Sequence, residues 1–173
     1  MRPDDLLLDE LVQMSSGNIS LHGRRLVLHS IHAFAQFRKD ILKILGRDYA
    51  RKLFTRFGFF CGQADAAAMQ KMFQWDNVLD WLSAGSKLHE LMGIVRVSVN
   101  ERQLDVEAGK LYIECTWYDS SEAEEHLTEI GPGDEAVCWK LTGYASGYAS
   151  YCLGKNVYFL ERSCQGKRDR VCQ

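Results

Sequence analysis

Four residues in the second half of the sequence carry side chains that bind borderline metal ions. The tail reads Glu161-x-x-Cys164-x7-Cys172, and Cys138 lies 23 residues upstream of Glu161. Thiolates and a carboxylate suit tetrahedral Zn²⁺, which would close residues 165–171 against the body of the protein. The chain lacks the Cys-x2-4-Cys pair of a usual zinc knuckle, so reduced core cysteines or a disulfide remain alternatives. Cys164 and Cys172 are the strongest candidates because cysteines in polar loops rarely serve packing alone.

Two polar aromatic side chains, His89 and Trp117, lie in otherwise apolar stretches. Trp117 follows Ile113 and Cys115 on the same face of a predicted strand, and a buried indole N–H needs a partner. These residues can belong to an ordinary core, or they can line a small apolar cavity with two polar groups, the usual composition of a small-molecule site. The aromatic residues expected to cover this sheet face are Tyr144, Tyr148, Phe57 and Phe60.

Catalytic signatures are missing from the sequence. It contains no Gly-x-Ser-x-Gly, no His-Glu-x-x-His, no phosphate-binding loop and no Gly-x-Gly-x-x-Gly. Ser146 lies between two glycines, but its register differs from that of a nucleophile elbow. The sequence therefore favours a protein that is not an enzyme.

Composition excludes several classes of protein. The 173 residues include 21 basic and 23 acidic side chains, and 46% of the residues are hydrophobic, as in an ordinary globular domain. A net charge of -2 offers no basic surface for a nucleic-acid backbone. Because no long apolar segment or signal peptide is present, we expect a cytoplasmic protein with reduced cysteines.

Apolar periodicity predicts an α+β fold in which an antiparallel sheet packs against several helices. Short β elements are expected before residue 28, and the third helix is expected to break at Gly85. The first two predicted helices run from Ser30 to Gly46 and from about Asp48 towards Phe73. The third runs from Asp76 past Leu82 and restarts after Gly85 to reach Leu91. The last two run from Glu122 to Ile130 and from about Ala136 to Leu153. The predicted strands cover Ile94 to Val99, Leu104 to Val106, Tyr112 to Trp117 and Val157 to Leu160, with a turn at Ala108-Gly109.

Five separated segments resemble one known family. They are Leu88-His89, Trp117-x-Asp119-Ser120-x-Glu122, Val137-Cys138-Trp139, Gly143-Tyr144-Ala145-Ser146-Gly147-Tyr148 and Phe159-Leu160-Glu161-x-Ser163-Cys164. In this order they resemble the N-terminal aromatic-sensing domain of bacterial sigma-54-dependent activators of the XylR/DmpR/MopR class. The likeness extends from about Gly17 to the end of the chain. It implies an α+β sensor fold whose second half is of the 4-vinyl-reductase type.

The resemblance implies two sites. The zinc ligands of the family match Cys138, Glu161, Cys164 and Cys172, which would hold a structural Zn²⁺. The residues that bind phenol in the family match His89 and Trp117, and His89 favours a hydroxylated aromatic because toluene sensors tend to have tyrosine there. We expect the packing of Cys115, Tyr148 and Phe159 to set the size of the ligand.

The resemblance also implies an organisation and partners. We expect a single sensory domain over 1–173, divided into an N-terminal segment 1–28, an effector-pocket half 29–110 and a zinc-binding half 111–173. It would form a homodimer, with the apolar positions from Leu6 to Leu11 as a contact, and would control the ATPase domain of a longer activator. The chain stops after Cys172 without such a domain, so we expect an excised sensor. Alternatives are a zinc-stabilised interaction module without a ligand, a sensor of toluene or benzene, and an enzyme related to 4-vinyl reductases.

Overall fold

The computed structural model describes residues 1–21, 23–105, 108 and 110–173. Its helices are α1 (Leu8–Leu11), α2 (Ile31–Leu45), α3 (Arg47–Met72), α4 (Val78–Leu91), α5 (Ser121–Glu129) and α6 (Trp139–Leu153). Its strands are β1 (Val12–Ser15), β2 (Asn18–Leu21), β3 (Arg24–Leu26), β4 (Arg96–Asp105) and β5 (Lys110–Tyr118), and 3-10 turns cover Pro3–Asp5 and Gln165–Lys167. In the part of the chain described, no helix is both long and apolar enough to cross a membrane.

The strands form two antiparallel sheets. One has the order β1-β2-β3, and the other is the β4-β5 hairpin. In the hairpin, Val97 pairs with Trp117 and Val99 pairs with Cys115. Because side chains alternate along a strand, Trp117, Cys115 and Ile113 lie on the same face of β5. The predicted antiparallel pairing is thus confirmed, but β4 runs as one strand over Arg96–Asp105, where the sequence predicts two. Val106 of the second predicted strand and Gly109 of the predicted turn lie outside the described residues.

Glycines allow α3 and α6 to pack at close range. A β-carbon on Gly58 would lie 2.0 Å from the carbonyl oxygen of Lys140, and one on Gly62 would lie 2.2 Å from that of Tyr144. Gly143 and Gly147 make the reciprocal approaches from α6. The small residues of α3 therefore permit close packing, and the two backbones fix each other's position.

The aromatic stripe of α3 does not cover the sheet, which corrects the prediction for two residues. Phe57 is 53% exposed and Phe60 is 54% exposed. Helical periodicity indicates that these side chains share a face, but α3 turns its small-residue face towards α6 instead. At this contact the close approach of the two backbones fills the interior without large side chains, while Phe54 and Met69 of α3 are buried elsewhere along the helix.

The prediction that the third helix breaks at Gly85 is also wrong. Helix α4 runs without interruption from Val78 to Leu91, and its N-cap is Asn77 rather than Asp76, accepting a hydrogen bond from the Asp80 backbone N–H. Gly85 serves packing instead, since a β-carbon there would lie 2.8 Å from the Tyr148 ring. The continuous helix places His89 one turn beyond Gly85, on the face that looks towards α6.

Residues 157–160 do not form the predicted strand. The Ser150 hydroxyl accepts a hydrogen bond from the Val157 N–H at 2.8 Å and donates one to its carbonyl oxygen at 3.2 Å. The Ser146 hydroxyl accepts a hydrogen bond from the Phe159 N–H at 2.9 Å. Because side chains of α6 satisfy these backbone groups, the segment follows the helix instead of joining a sheet.

The N-terminal segment forms the predicted β elements but does not expose all of the predicted dimer contact. Strands β2 and β3 form where the sequence predicts short β elements. Leu6 and Leu11 are only 1% and 2% exposed and belong to the core, so the prediction that they offer an exposed dimer contact is wrong for both. Leu7 and Leu8, between them, are exposed.

A buried ion pair fixes the start of α6. Arg38 is 0% exposed, and its guanidinium donates to the Glu122 carboxylate at 2.7 Å and to the Val137 carbonyl oxygen at 2.5 Å. Glu122 also accepts hydrogen bonds from the backbone N–H groups of Lys140 and Leu141 at 2.9 and 3.0 Å. These are N–H groups of the first helical turn, which have no partner within the helix. Arg38 therefore neutralises the carboxylate that caps α6.

Replacing Arg38 with methionine tests this arrangement. The Arg38→Met variant keeps most of the side-chain volume but leaves Glu122 charged and buried without its cation. We expect the free energy of unfolding, measured by urea titration, to fall by about 3–5 kcal/mol. The matched control is Arg51→Met, because Arg51 forms exposed ion pairs, and its effect should stay within about 0.5 kcal/mol. Similar effects of the two substitutions would contradict the assignment.

Candidate functional site

A cavity lies between the β4-β5 hairpin and helices α4 and α6. Its volume is about 70 Å³, several times the space that one water molecule requires. Aliphatic and aromatic side chains make up most of its wall. The lining residues are Leu82, Ser83, Gly85, Ser86, His89, Val95, Val97, Val99, Arg102, Ile113, Cys115, Trp117, Leu141, Tyr144, Ala145, Tyr148, Ala149 and Phe159.

The structure brings all five predicted ligand-binding residues to this cavity. His89 comes from α4, Cys115 and Trp117 come from β5, Tyr148 comes from α6, and Phe159 comes from the segment that follows α6. Elements distant in sequence thus meet around one space. Their roles in binding a ligand stay a prediction.

Sequence reasoning missed several cavity residues. Ser83, Ser86 and Arg102 carry polar groups at its wall. For α4 a signal was present, because residues 82, 85, 86 and 89 follow the spacing of one helix face. The expected break at Gly85 concealed that spacing. For Arg102, an exposed side chain in a strand with many charges, no local signal distinguishes it from its neighbours.

The His89 ring is neutral in the folded protein. Only 7% of the residue is exposed, and burial, with a further contribution from the Lys140 charge, lowers the pKa of His89 to about 3. A neutral imidazole has one N–H donor and one nitrogen acceptor, whereas a protonated ring has donors only. His89 can therefore accept a hydrogen bond as well as donate one.

Two tyrosines of α6, Tyr144 and Tyr148, line the cavity with their rings and direct their hydroxyls elsewhere. The Tyr144 hydroxyl donates to Asp65 Oδ2 at 3.1 Å, and the Tyr148 hydroxyl donates to the Trp81 carbonyl oxygen at 3.1 Å. Burial raises the pKa of both phenols well above the usual value. Burial also raises the pKa of the Cys115 thiol on β5 to about 11, so these three side chains are uncharged at neutral pH.

A second group of predicted residues converges on one point. The sulfur of Cys138 lies 3.8 Å from those of Cys164 and Cys172, which lie 3.9 Å from each other. A tetrahedral zinc ion with Zn–S bonds of about 2.3 Å separates its sulfur ligands by about 3.8 Å. Disulfide sulfurs lie about 2.05 Å apart, and all six cysteines are free, so the disulfide alternative does not apply.

Glu161 completes this cluster. The four ligand atoms of Cys138, Glu161, Cys164 and Cys172 all lie within 4.8 Å of one another, and the cluster can hold a metal ion. Glu161 Oε2 accepts a hydrogen bond from the Cys138 backbone N–H at 3.0 Å. Its other oxygen, Oε1, is buried, and no described residue gives it a hydrogen bond. The donor set and this free oxygen fit a metal ligand.

Cys138 and Glu161 of the cluster are harder to deprotonate than usual. Contact with the neighbouring sulfurs, Cys164 first, and burial raise the pKa of the Cys138 thiol well above its usual value. Burial raises the pKa of the Glu161 carboxyl to about 8. A divalent cation among these groups stabilises their deprotonated forms.

The candidate metal cluster of Cys138, Glu161, Cys164 and Cys172 and the cavity are structurally joined. Cys138 is the N-cap residue of α6, the helix that also carries Tyr144 and Tyr148. The Cys172 carbonyl oxygen accepts a hydrogen bond from the Trp117 backbone N–H at 2.8 Å. The cluster thus adjoins both the start of one cavity helix and the end of one cavity strand.

Comparison with known proteins places the chain in a family. The model of a family described as activators of aromatic catabolism matches residues 8–105, more than half of the chain. The chain belongs to this family. The resemblance on which the sequence analysis relied is therefore confirmed.

Two regulators and one solved structure are similar to this chain. The phenol regulator MopR of Acinetobacter guillouiae is 33% identical over 168 residues, which cover 96% of this chain and 30% of MopR. The transcriptional regulatory protein XylR of Pseudomonas putida is 33% identical over 158 residues, covering 91% of this chain and 28% of XylR. The chain thus spans less than a third of these relatives.

The match to a solved structure covers most of both chains. The crystal structure of the phenol-responsive sensory domain of the transcription activator PoxR with phenol superposes with a TM-score of 0.90 and 32% identity. The match covers 95% of this chain and 83% of the PoxR chain. The α+β fold expected from the sequence, with antiparallel sheets packed on helices, is confirmed.

The charge state of His89 can be tested by nuclear magnetic resonance. An unperturbed histidine, with a pKa of about 6.5, gains its proton between pH 8 and pH 5. Because burial lowers the pKa of His89 to about 3, its ring signals should not shift over that window. Comparison with the His89→Gln variant assigns the signals. A titration midpoint above pH 6 would contradict a buried neutral ring.

Proposed function

We propose that this chain is a sensory domain that binds phenol or a related hydroxylated aromatic in the cavity. The observation that carries the proposal is the arrangement of His89 and Trp117 at the wall of one largely apolar space. The ring of the ligand would contact the aliphatic and aromatic walls. Its hydroxyl would bind the two polar groups.

The hydrogen-bonding capacities of the three partners are complementary. A phenol hydroxyl has one donor and can accept as well, a neutral imidazole can accept, and an indole N–H donates only. The phenol can therefore donate to His89 while it accepts from Trp117. A protonated His89 would lack the acceptor, so the low pKa of this residue supports the proposal.

Affinity and selectivity have different sources in this arrangement. With about 7 heavy atoms and a ceiling of about 1.5 kcal/mol per atom, phenol could reach a binding free energy near -10 kcal/mol, so micromolar binding is reasonable. Benzene or toluene would leave the buried polar groups without a partner, which costs about 1–3 kcal/mol. This difference favours the hydroxylated ligand over the alternative of a toluene or benzene sensor.

The comparisons support this proposal over the two remaining alternatives. MopR is a phenol regulator and the PoxR domain is phenol-responsive, and both are similar to this chain over nearly its whole length. An interaction module without a ligand would be expected to fill its core, whereas this one contains a cavity. The relatives are regulators, which argues against an enzyme related to 4-vinyl reductases.

We further propose that the metal cluster holds a structural Zn²⁺ through Cys138, Glu161, Cys164 and Cys172. The sulfur separations suit zinc, and four protein ligands leave no open position, as in structural sites. The ion would supply a fixed cation that joins the tail of the chain to the start of α6.

Regulation would follow from the preference of the ligand for one arrangement of the sensor. We propose that this arrangement controls an attached ATPase domain in a longer activator, because the curated relatives are more than three times as long as the matched region. Formation of a homodimer and the division of the domain at residues 28 and 110 stay predictions.

Calorimetric titration of the His89→Ala variant tests the binding mode. We expect phenol to bind at least tenfold more weakly, because the hydroxyl loses its acceptor, and benzene affinity to change less than twofold. His32→Ala is the control, since His32 is exposed and lies outside the cavity. Equal losses for both ligands would contradict the proposed hydrogen bond.

Metal analysis tests the zinc site. The purified protein should contain about one equivalent of zinc, and Glu161→Gln should make that zinc easier to remove with a chelator. Removal should lower the thermal midpoint, because the ion joins the tail to α6. Cys61→Ser is the control, because Cys61 lies on α3 away from the cluster. Protein that folds and binds phenol without any metal would overturn this assignment.

A further inference from the structure

Three successive contacts lead from the N-terminal sheet to the cavity. Arg24 on β3 forms an ion pair with Asp65 Oδ1 on α3 at 2.5 Å. Asp65 Oδ2 accepts a hydrogen bond from the Tyr144 hydroxyl at 3.1 Å. The Tyr144 ring packs on the His89 ring, with the ring centroids 3.6 Å apart and an interplanar angle of 31°. The phenol-binding proposal uses His89 alone among these four residues.

Asp65 is held tightly between its two partners. Its side chain is only 13% exposed, and each carboxylate oxygen has its own partner. Arg24 supplies the positive charge that a buried carboxylate requires. A hydrogen bond to a charged acceptor is shorter and stronger than one between neutral groups. The carboxylate is therefore a firm anchor for the Tyr144 hydroxyl.

Tyr144 is consequently fixed at both ends. Its backbone lies in α6, at the point where Gly62 of α3 approaches the Tyr144 carbonyl oxygen. Its hydroxyl is bound by Asp65, which lies on the same α3 helix. With both ends held by packed helices, the axis of the ring between them is set.

The fixed ring limits the orientations of the histidine. At 3.6 Å between centroids, the Tyr144 ring is in van der Waals contact with one face of the imidazole. Rotation of the imidazole out of this plane would drive its edge into the Tyr144 ring. The plane in which the His89 nitrogens lie is therefore limited by a residue that makes no hydrogen bond to them.

We infer that Asp65 is a positioning residue for the discrimination of phenol from benzene. It holds Tyr144 by its hydroxyl, and the Tyr144 ring holds the His89 imidazole in the orientation that accepts the phenol hydroxyl. This inference rests on the proposed function. It adds a residue outside the cavity wall to those that set selectivity.

The Tyr144→Phe variant separates positioning from packing. It keeps the ring that lines the cavity and removes only the bond to Asp65. We expect phenol to bind about 3- to 10-fold more weakly in calorimetric titration, because the imidazole gains alternative orientations. Benzene makes no hydrogen bond to His89, so its dissociation constant should stay within twofold. The ratio of the two constants is thus the diagnostic measurement.

The matched control is Tyr112→Phe. Tyr112 also donates its hydroxyl to a carboxylate, Glu114 Oε2 at 3.2 Å, but it lies on the exposed side of β5 and does not line the cavity. We expect this variant to bind both ligands like the unmodified protein. A double variant tests the route of the effect, because Tyr144→Phe should not change the ratio further once His89→Ala has removed the imidazole.

Asp65→Asn provides a second variant if Tyr144→Phe alters folding, and it should change the ratio in the same direction. Equal weakening of phenol and benzene would overturn the inference, because it would show that the hydroxyl only supports packing. An unchanged ratio in both variants would also overturn it while the proposed function stands. A folded, unmodified protein that binds no phenol would overturn the proposed function, and this inference with it.

Discussion

The buried pair of Arg38 and Glu122 is the interaction on which the rest of the site depends. The Glu122 carboxylate accepts the first backbone N–H groups of α6, and Arg38 neutralises it while binding the Val137 carbonyl oxygen. Three segments that are distant in sequence therefore meet at one helix end. Because α6 carries Cys138 at this end and two cavity tyrosines further along, a shift of this helix would displace parts of both the candidate metal cluster and the cavity.

The two sites share elements for a physical reason. The candidate metal ligands come from the start of α6 and from the tail, and the tail pairs with β5 through the backbone of Cys172 and Trp117. The wall formed by β5 is thereby tied to the helix that faces it across the cavity. A domain of this size can hold an internal space open when such cross-links fix its opposite walls, since packing alone favours collapse.

The sequence allowed the cluster of Cys138, Glu161, Cys164 and Cys172 and five of the cavity residues to be predicted, because their segments resemble a family and their side-chain types are specific. It did not allow the orientation of α3 to be predicted, because periodicity shows that Phe57 and Phe60 share a face but not which face is buried. Arg38 was missed since an arginine in an amphipathic helix normally faces solvent. The strand predicted at residues 157–160 does not form, because the hydroxyls of Ser146 and Ser150, rather than a neighbouring strand, make hydrogen bonds to its backbone N–H and C=O groups.

Those serines have a mechanical consequence. Phe159 lines the cavity from a segment suspended by three hydrogen bonds to Ser146 and Ser150, whereas Ile113 and Cys115 belong to a paired hairpin. Shifting the suspended segment breaks few bonds, while shifting the hairpin disrupts a ladder of them. The cavity wall at Phe159 is therefore easier to displace than the walls formed by the hairpin. A bulkier ligand would be accommodated at the lowest free-energy cost by a shift of the segment that carries Phe159.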